Sequence, residues 1–388
     1  MRAKKISLFV HDLAANPIGR AYPIAKALKK VGLEVEILGF LMSADKIYLP
    51  YNDTFNYVTL RTDSRPGVVF KASDLARKAE GDIIYAFKPL WTSYWPALLA
   101  SGFGRKKPLL LDIEDNELCL QCDSTKDFLY KNFVRGWNFI VSPKYNWVLH
   151  PLTGLAAYKT VSTTALQRIY GGEIILHGPD SSLFDPKLSN CDKYVCRKKF
   201  NLPQSAPLLL FVGTPYPHKG LDLLVHALTQ PQLISCHLVL CGDAKCRQYV
   251  DAADALGQRC HFIDFLPNNS IPELLAAVDI VPVLQRPGKF ANAQLPAKML
   301  DAMAMSKAVI VTAVSDLPSI IGGNPARGWA ISPLDEEAFI AATLEIINNP
   351  DEAKRRGDAA RQYFLDNASL SANGNKMRGI MNKLNINI

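Results

Sequence analysis

The sequence predicts an α/β protein of two doubly wound parallel-sheet domains that face each other across a cleft. Three observations predict it. Short apolar runs alternate with amphipathic helical stretches through both halves of the chain. The length, 388 residues, exceeds what one hydrophobic core usually supports. The stretch from Leu208 to Leu224 reads as a buried strand, a glycine turn, a short polar loop, a lysine and the start of a helix. That strand–loop–helix unit is the repeating block of parallel sheets covered on both faces.

In the first half, strands are predicted over Ile6–Val10, Val35–Phe40, Ile83–Phe87, Leu109–Ile113 and Glu173–His177. Helices are predicted over Tyr22–Val31 and Ser73–Glu80. The second half repeats the alternation with Leu208–Val212, His237–Cys241, His261–Phe265, Ile280–Leu284 and Val309–Thr312. The segment 178–203 contains Pro179, Pro186 and Pro203, lacks a sustained period and reads as a linker. The expected division is a first domain over 1–177, that linker, a second domain over 204–360 and a polar, basic helix over 361–388.

Composition narrows the class. Hydrophobic residues make up 48% of the chain and charged residues 21%, which fits a water-soluble globular protein. No apolar run reaches the roughly 18 residues a spanning helix needs. The first strand follows a short basic start and is too brief for a signal peptide, so a cytoplasmic location is expected. Eight cysteines then read as reduced thiols. Cys119-x-x-Cys122 has zinc-knuckle spacing but Cys191-x4-Cys196 does not, and neither lies near a histidine at finger spacing. The net charge of +8 is uneven: residues 1–175 hold 23 Lys and Arg against 16 acids. That excess suits an anionic membrane surface or another polyanion, although solubility alone explains it equally well. Nucleic acid is disfavoured, because no recognised binding motif is present. Between Phe128 and Leu152, seven aromatics interleave with Lys131, Arg135 and Lys144, as in an interfacial patch or in a core helix with a basic outer face.

The loop Gly213–Gly220 carries the chemistry. A helix start at the carboxyl end of a parallel strand offers free N–H groups and a positive dipole to an anion, and Lys219 adds a full charge. The expected ligand is a phosphate or diphosphate. The loop matches neither the P-loop pattern nor G-x-G-x-x-G, which excludes those two nucleotide folds.

Five motifs in order resemble a family. They are Asn16-Pro17-Ile18-Gly19-Arg20, His177-Gly178-Pro179-Asp180 with Phe184, Gly213 with Lys219-Gly220, Cys241-Gly242-Asp243, and Leu295-Pro296-Ala297-Lys298-Met299-Leu300-Asp301. Together they are similar to the retaining glycosyltransferases of the GT-B fold, glycosyltransferase family 4-like, also called glycosyl transferases group 1. The resemblance implies two Rossmann-like domains, with a nucleotide-sugar donor on the second and the acceptor on the first. It implies that the last helix packs back on the first domain. It also implies that Lys219 grips the diphosphate, that Asp301 bonds the ribose hydroxyls, and that Gln294, Leu295, Pro296, Ala297 and Lys298 turn backbone N–H groups toward phosphate and sugar. Gly19 would let the backbone approach the donor, with Arg20, Gly213, Thr214 and Gly242 beside it.

The departures are specific. The family usually has arginine where this chain has Thr214, and the first acid of its E-x7-E motif falls at Ala293. Its frequent histidine after the fourth strand is replaced here by Asp112-Ile113-Glu114-Asp115. Lys298 could replace the missing cation, and Gln294 or Asn292 could take over the sugar hydroxyls. Glu114 and Asp115 either orient the acceptor or cap the next helix. His177 and His218 read as structural. The activity implied by the resemblance is that of a metal-independent hexosyltransferase with no cofactor beyond its UDP- or GDP-sugar donor. The acceptor would be a saccharide, lipid-linked if the aromatic and basic segment meets a membrane. Two other classes stay open, a non-catalytic nucleotide-sugar binding protein and a nucleotide-sugar epimerase. The seven histidines, few of them at strand ends, favour the epimerase least.

Overall fold

A computed structural model describes residues 4–48, 51, 55–62, 65–116 and 148–386. The chain divides into two compact units, 1–177 with 370–388, and 178–369. Each is organised around one parallel sheet.

In the first unit the strands are β1 (Lys5–Asp12), β2 (Glu34–Leu41), β3 (Asn56–Arg61), β4 (Ile83–Phe87), β5 (Leu109–Ile113), β6 (Tyr158–Val161) and β7 (Glu173–Ile174). They lie in the order β3-β2-β1-β4-β5-β6-β7, with every ladder parallel. The helices are α1 (Ile18–Lys30), α2 (Arg65–Arg77), α3 (Tyr94–Ala100) and α4 (Thr164–Tyr170). Strands β1, β4 and β5 are almost entirely buried, as a sheet covered on both faces requires. Strands β3 and β6 are not predicted, because their short mixed runs carry too few apolar residues to show a period. The predicted strand Glu173–His177 keeps ladder pairing only over Glu173–Ile174.

The second unit contains α5 (Lys193–Lys199), β8 (Leu208–Val212), α6 (Leu221–Thr229), β9 (His237–Cys241), α7 (Arg247–Leu256), β10 (Cys260–Ile263), α8 (Ile271–Ala277) and β11 (Ile280–Val283). These are followed by α9 (Ala297–Ala304), β12 (Ala308–Thr312), α10 (Leu317–Ile321), β13 (Trp329–Ile331), α11 (Glu336–Asn348) and α12 (Pro350–Asn367). The sheet order is β10-β9-β8-β11-β12-β13, again parallel throughout. In both sheets the order reverses beside the first strand, at β1/β4 and at β8/β11, and such switch points are where α/β proteins place ligands.

Two expected boundaries are corrected. The segment 178–203 is not a linker but part of the second unit. Arg197 on α5 is fully buried and donates to the carbonyls of Ala277 (2.8 Å), Pro203 (3.1 Å) and Gln204 (2.8 Å) while pairing with Asp279 at 2.7 Å. At Gly178 a Cβ would lie 2.5 Å from the Phe364 ring, so the segment's first residue is also packed against its own unit. The other correction is the return point, which is Leu370 rather than residue 361. Residues 361–369 stay with the second unit, where Arg361 donates to the carbonyls of Phe184 and Ala304. The final helix, α13 (Leu370–Lys383), then joins the first unit's core through Met377, Ile380 and Met381. It lies along α1, and Asn373 donates to the Leu176 carbonyl at 2.5 Å. Among the described residues no helix is long and apolar enough to cross a membrane.

Candidate functional site

At the switch point of the second unit, β8 ends in Gly213, whose φ of +92° is open to glycine at little cost. Its carbonyl and that of Cys241 accept from the Tyr249 hydroxyl, and a Cβ at Gly242 would lie 3.0 Å from that same oxygen. Tyr249 thereby ties the two loop glycines together from below. Thr214 is exposed on the loop. A single 3₁₀ turn, Pro217–Lys219, leads to Gly220 in the left-handed region (φ +66°), where a Cβ would stand 2.1 Å from the Leu284 carbonyl. The lysine is thus carried on a loop pressed against the end of β11.

Lys219 and Lys298 come together at this point. The Lys298 ammonium is buried without a hydrogen-bond acceptor among the described residues and rests 4.4 Å from the centre of the Phe211 ring. The Lys219 ammonium lies 5.2 Å from the Tyr216 ring centre. Burial pushes Lys219 down to about 8, and burial together with the charge of Lys219 pushes Lys298 down to about 7. A buried ammonium group beside a half-buried one, with no carboxylate paired to either among the described residues, concentrates positive charge that an anion would offset. Lys298 opens α9, so backbone N–H groups of Ala297 and its neighbours add the helix dipole on the same side. Leu295 and Pro296 form the turn into that helix, with Pro296 extended at its cap. Gln294 accepts from the Gln285 amide at 3.0 Å. Asp301 lies one turn along α9; burial raises its carboxyl to about 7, and no ion pair joins it to Lys298.

The first unit has its own strand-end cluster. Lys88 follows β4 with φ +69°, its N–H bonded to the Asp112 carbonyl at 2.9 Å and its carbonyl accepting from the Ser93 hydroxyl at 2.8 Å. A lysine in the left-handed region is held there only when its surroundings over-determine it. Its ammonium pairs with Asp115 at 2.6 Å and reaches Glu114 at 3.7 Å. Burial raises Glu114 to about 7, with Lys88 opposing the shift and Asp115 adding to it. Beside them His11 bonds the Thr92 hydroxyl and is lowered to about 4, first by burial and then by Lys88. The capping alternative for Glu114 and Asp115 concerns residues that follow 116 and lie outside the described ones, as do Cys119, Cys122 and the segment 128–147.

Arg20 requires a correction. It was expected to face a phosphate, but its guanidinium is buried and committed within the first unit. It donates to both oxygens of Asp112 (2.6 and 2.7 Å), to the Ile175 carbonyl (3.1 Å) and to His177 Nδ1 (2.9 Å). Four of its five donors are used, which leaves no fork for an anion. His177, lowered to about 3 by burial and then by Arg20, is a neutral acceptor in that network. Asp112 also accepts from Thr160 at 2.5 Å, so the Asp112-x-x-Asp115 spacing presents two carboxylates already engaged by cations. At Gly19 a Cβ would make only ordinary contacts, 3.4 Å from Asn16 Oδ1 and 3.5 Å from the Tyr51 hydroxyl, so nothing within the first unit requires glycine there.

In chemical terms the second unit gathers cationic side chains and free helix-start N–H groups at its strand ends. Residues 192–363 match the family described as Glycosyl transferases group 1. It is 25% identical over 211 residues to the GDP-mannose-dependent monoacylated alpha-(1-6)-phosphatidylinositol monomannoside mannosyltransferase of Corynebacterium glutamicum, covering 53% of this chain and 54% of that one. The chain spans about half the length of the curated relatives it matches. Among solved structures, a glycosyltransferase from Rickettsia africae superposes with a TM-score of 0.73 at 18% identity over 100% of both chains. Anabaena Alr3699/HepE in complex with UDP-glucose gives 0.73 at 16% identity, over 98% of this chain and 100% of the other. The fold is GT-B.

Lys88, His11 and Gln285 are not singled out by the sequence alone. All three stand at carboxyl ends of strands, where an isolated polar residue after an apolar run is the available signal, as in Phe87-Lys88-Pro89 and Leu284-Gln285-Arg286-Pro287.

Proposed function

We propose that the protein is a retaining, metal-independent glycosyltransferase that moves a hexosyl group from a UDP- or GDP-sugar to a saccharide acceptor. The observation that carries this reading is the Lys219–Lys298 pair, a buried ammonium group beside a half-buried one, with no carboxylate paired to either among the described residues. In the reaction the bond between the anomeric carbon and the diphosphate oxygen breaks, and negative charge develops on the departing phosphate. Fixed donors at that position lower the barrier, each by roughly 3–4 kcal/mol. The acceptor oxygen forms the new bond to the anomeric carbon, and its proton passes to the leaving phosphate, so no strong enzymic base is required. Asp301 is assigned to the ribose, and Glu114 with Asp115 to orienting the acceptor hydroxyl.

A lipid-linked acceptor at an anionic membrane surface is part of the same proposal. It is supported by the positive excess of residues 1–175 and by the Corynebacterium relative, whose name specifies a phosphatidylinositol mannoside. A cytoplasmic site of action fits a nucleotide-sugar donor. Thr214 and the buried Ala293 favour a second reading, a protein that binds nucleotide sugars without turning them over. One experiment separates the two. UDP-, GDP- and ADP-sugars are supplied in EDTA with mixed glycolipid and oligosaccharide acceptors, while melting temperature is followed with each nucleoside diphosphate. Stabilisation by one nucleotide together with transfer of its sugar supports the transferase, because a ligand of the folded state stabilises by mass action. Stabilisation without transfer or donor hydrolysis supports the binding protein. Loss of transfer in EDTA that magnesium restores refutes metal independence.

A further inference from the structure

The segment that follows strand β11, Leu284-Gln285-Arg286, is wedged between the Lys219 loop and the start of α9. Three contacts fix it there. The Leu284 carbonyl fills the space a Cβ would take at Gly220, the Arg286 N–H donates to the His218 carbonyl at 2.8 Å, and the Gln285 amide nitrogen donates to Gln294 Oε1 at 3.0 Å. The backbone carbonyl of Gln285 accepts from the Thr312 hydroxyl at 2.7 Å, which locks the residue to the neighbouring strand. Its side chain is 2% exposed, yet its Oε1 has no hydrogen-bond partner among the described residues.

A buried amide oxygen left unpaired is costly, and native proteins rarely retain one without a use for it. Leucine or methionine at this position would fill the same volume without that penalty. The orphan oxygen stands between two elements that carry the orphan ammonium of Lys298 and its neighbour Lys219. The two unmet groups call for different chemistry. An ammonium seeks an anion, whereas an amide oxygen seeks an uncharged O–H or N–H. A hexosyl diphosphate presents both within one short length. Ala293, where relatives of the family usually carry an acid, is buried and has no side-chain acceptor.

We infer that Gln285 accepts a hydrogen bond from a hydroxyl of the hexosyl group, and that through its bond to Oε1 it orients the Gln294 amide toward the same sugar. The assignment rests on the nucleotide-sugar function proposed for the site. It makes Gln285 a specificity residue for the sugar and leaves the diphosphate to the lysines.

The test compares wild type, Gln285→Leu and Gln285→Met in the full chain by calorimetry. The ligands are UDP and GDP, the corresponding hexosyl donors, and donors deoxygenated at single hydroxyls. Expected is unchanged nucleoside diphosphate affinity in both variants with a roughly tenfold loss for the hexosyl donor, about what one neutral hydrogen bond is worth. One deoxygenated donor should lose the same affinity in wild type and nothing further in the variants. Hexosyl donor affinity equal to wild type in both variants overturns the assignment. So does an equal loss for the bare diphosphate in Gln285→Met, which preserves side-chain length. If wild type binds no nucleoside diphosphate, the nucleotide-sugar reading fails and the assignment falls with it. Intact diphosphate binding with no sugar effect removes Gln285 alone.

Discussion

At the scale of single residues, the molecule separates charges that hold the fold from charges that await a ligand. Arg20 and Asp112 are buried, bidentate and internally satisfied, whereas the Lys298 ammonium is buried with no hydrogen-bond partner among the described residues and Lys219 beside it is half-buried. Their substitutions should therefore fail in different ways. Arg20→Ala strands the Asp112 carboxylate in the core, and the first unit should lose about 3–5 kcal/mol in urea unfolding. A variant as stable as wild type would contradict the structural role. Lys219→Ala should melt near wild type but turn over roughly a hundredfold more slowly, and an unchanged rate would contradict the phosphate assignment. The lowered lysines also fix a pH dependence. Free Lys298 loses its proton near 7 and free Lys219 near 8, whereas the bound diphosphate favours the charged forms. Nucleotide affinity should accordingly be greatest below about 7 and weaken from 7 to 9, by up to roughly tenfold per unit for each lysine recharged on binding. Calorimetry in buffers of different ionisation enthalpy should register the matching proton uptake, and a flat profile would show that the anion binds elsewhere.

At the scale of elements, Gly220 shows how a loop is given one position. Its φ is left-handed and the Leu284 carbonyl occupies its Cβ site, so Gly220→Ala must push the loop off β11. Nucleotide affinity should fall by about tenfold or more while the isolated backbone penalty costs only ~1–2 kcal/mol of stability; equal affinity would show that Lys219 does not depend on this packing. Much of this was legible in the sequence. Strands β4, β5, β8 and β9 match their predicted runs residue for residue, because strands buried on both faces leave continuous apolar runs. The Lys219 loop was legible because a glycine, a polar loop and a lysine after such a run have few other uses. What was not legible depends on who sits opposite. Arg20 looked like a free cation because Asp112 is 92 positions away, and Gln285 looked like nothing because its meaning lies in a missing partner. Lys88 was hidden for the same reason, since its acids come from the next strand over.

At the scale of the whole molecule, the notable arrangement is that α13 belongs to the first unit although the second unit separates them in the chain. Two glycines on that helix make the docking testable. At Gly374 a Cβ would lie 2.8 Å from Val31 Cγ1 on the α1 side, while at Gly379 it would meet nothing within 4 Å. Gly374→Ala should destabilise the first unit by about 1–3 kcal/mol through overpacking. Gly379→Ala should stabilise it by roughly 0.5–1 kcal/mol through helix propensity, and denaturation of the two variants together checks both signs. The same arrangement sets an order of events during synthesis. When the ribosome has made the first 177 residues, Met377, Ile380 and Met381 have not yet been translated, so the core they complete stays open. The stretch 178–369 is contiguous and can close as soon as it emerges. The unit begun first is thus the one finished last, and its exposed apolar face must be kept from other chains for the time it takes to translate nearly two hundred more residues.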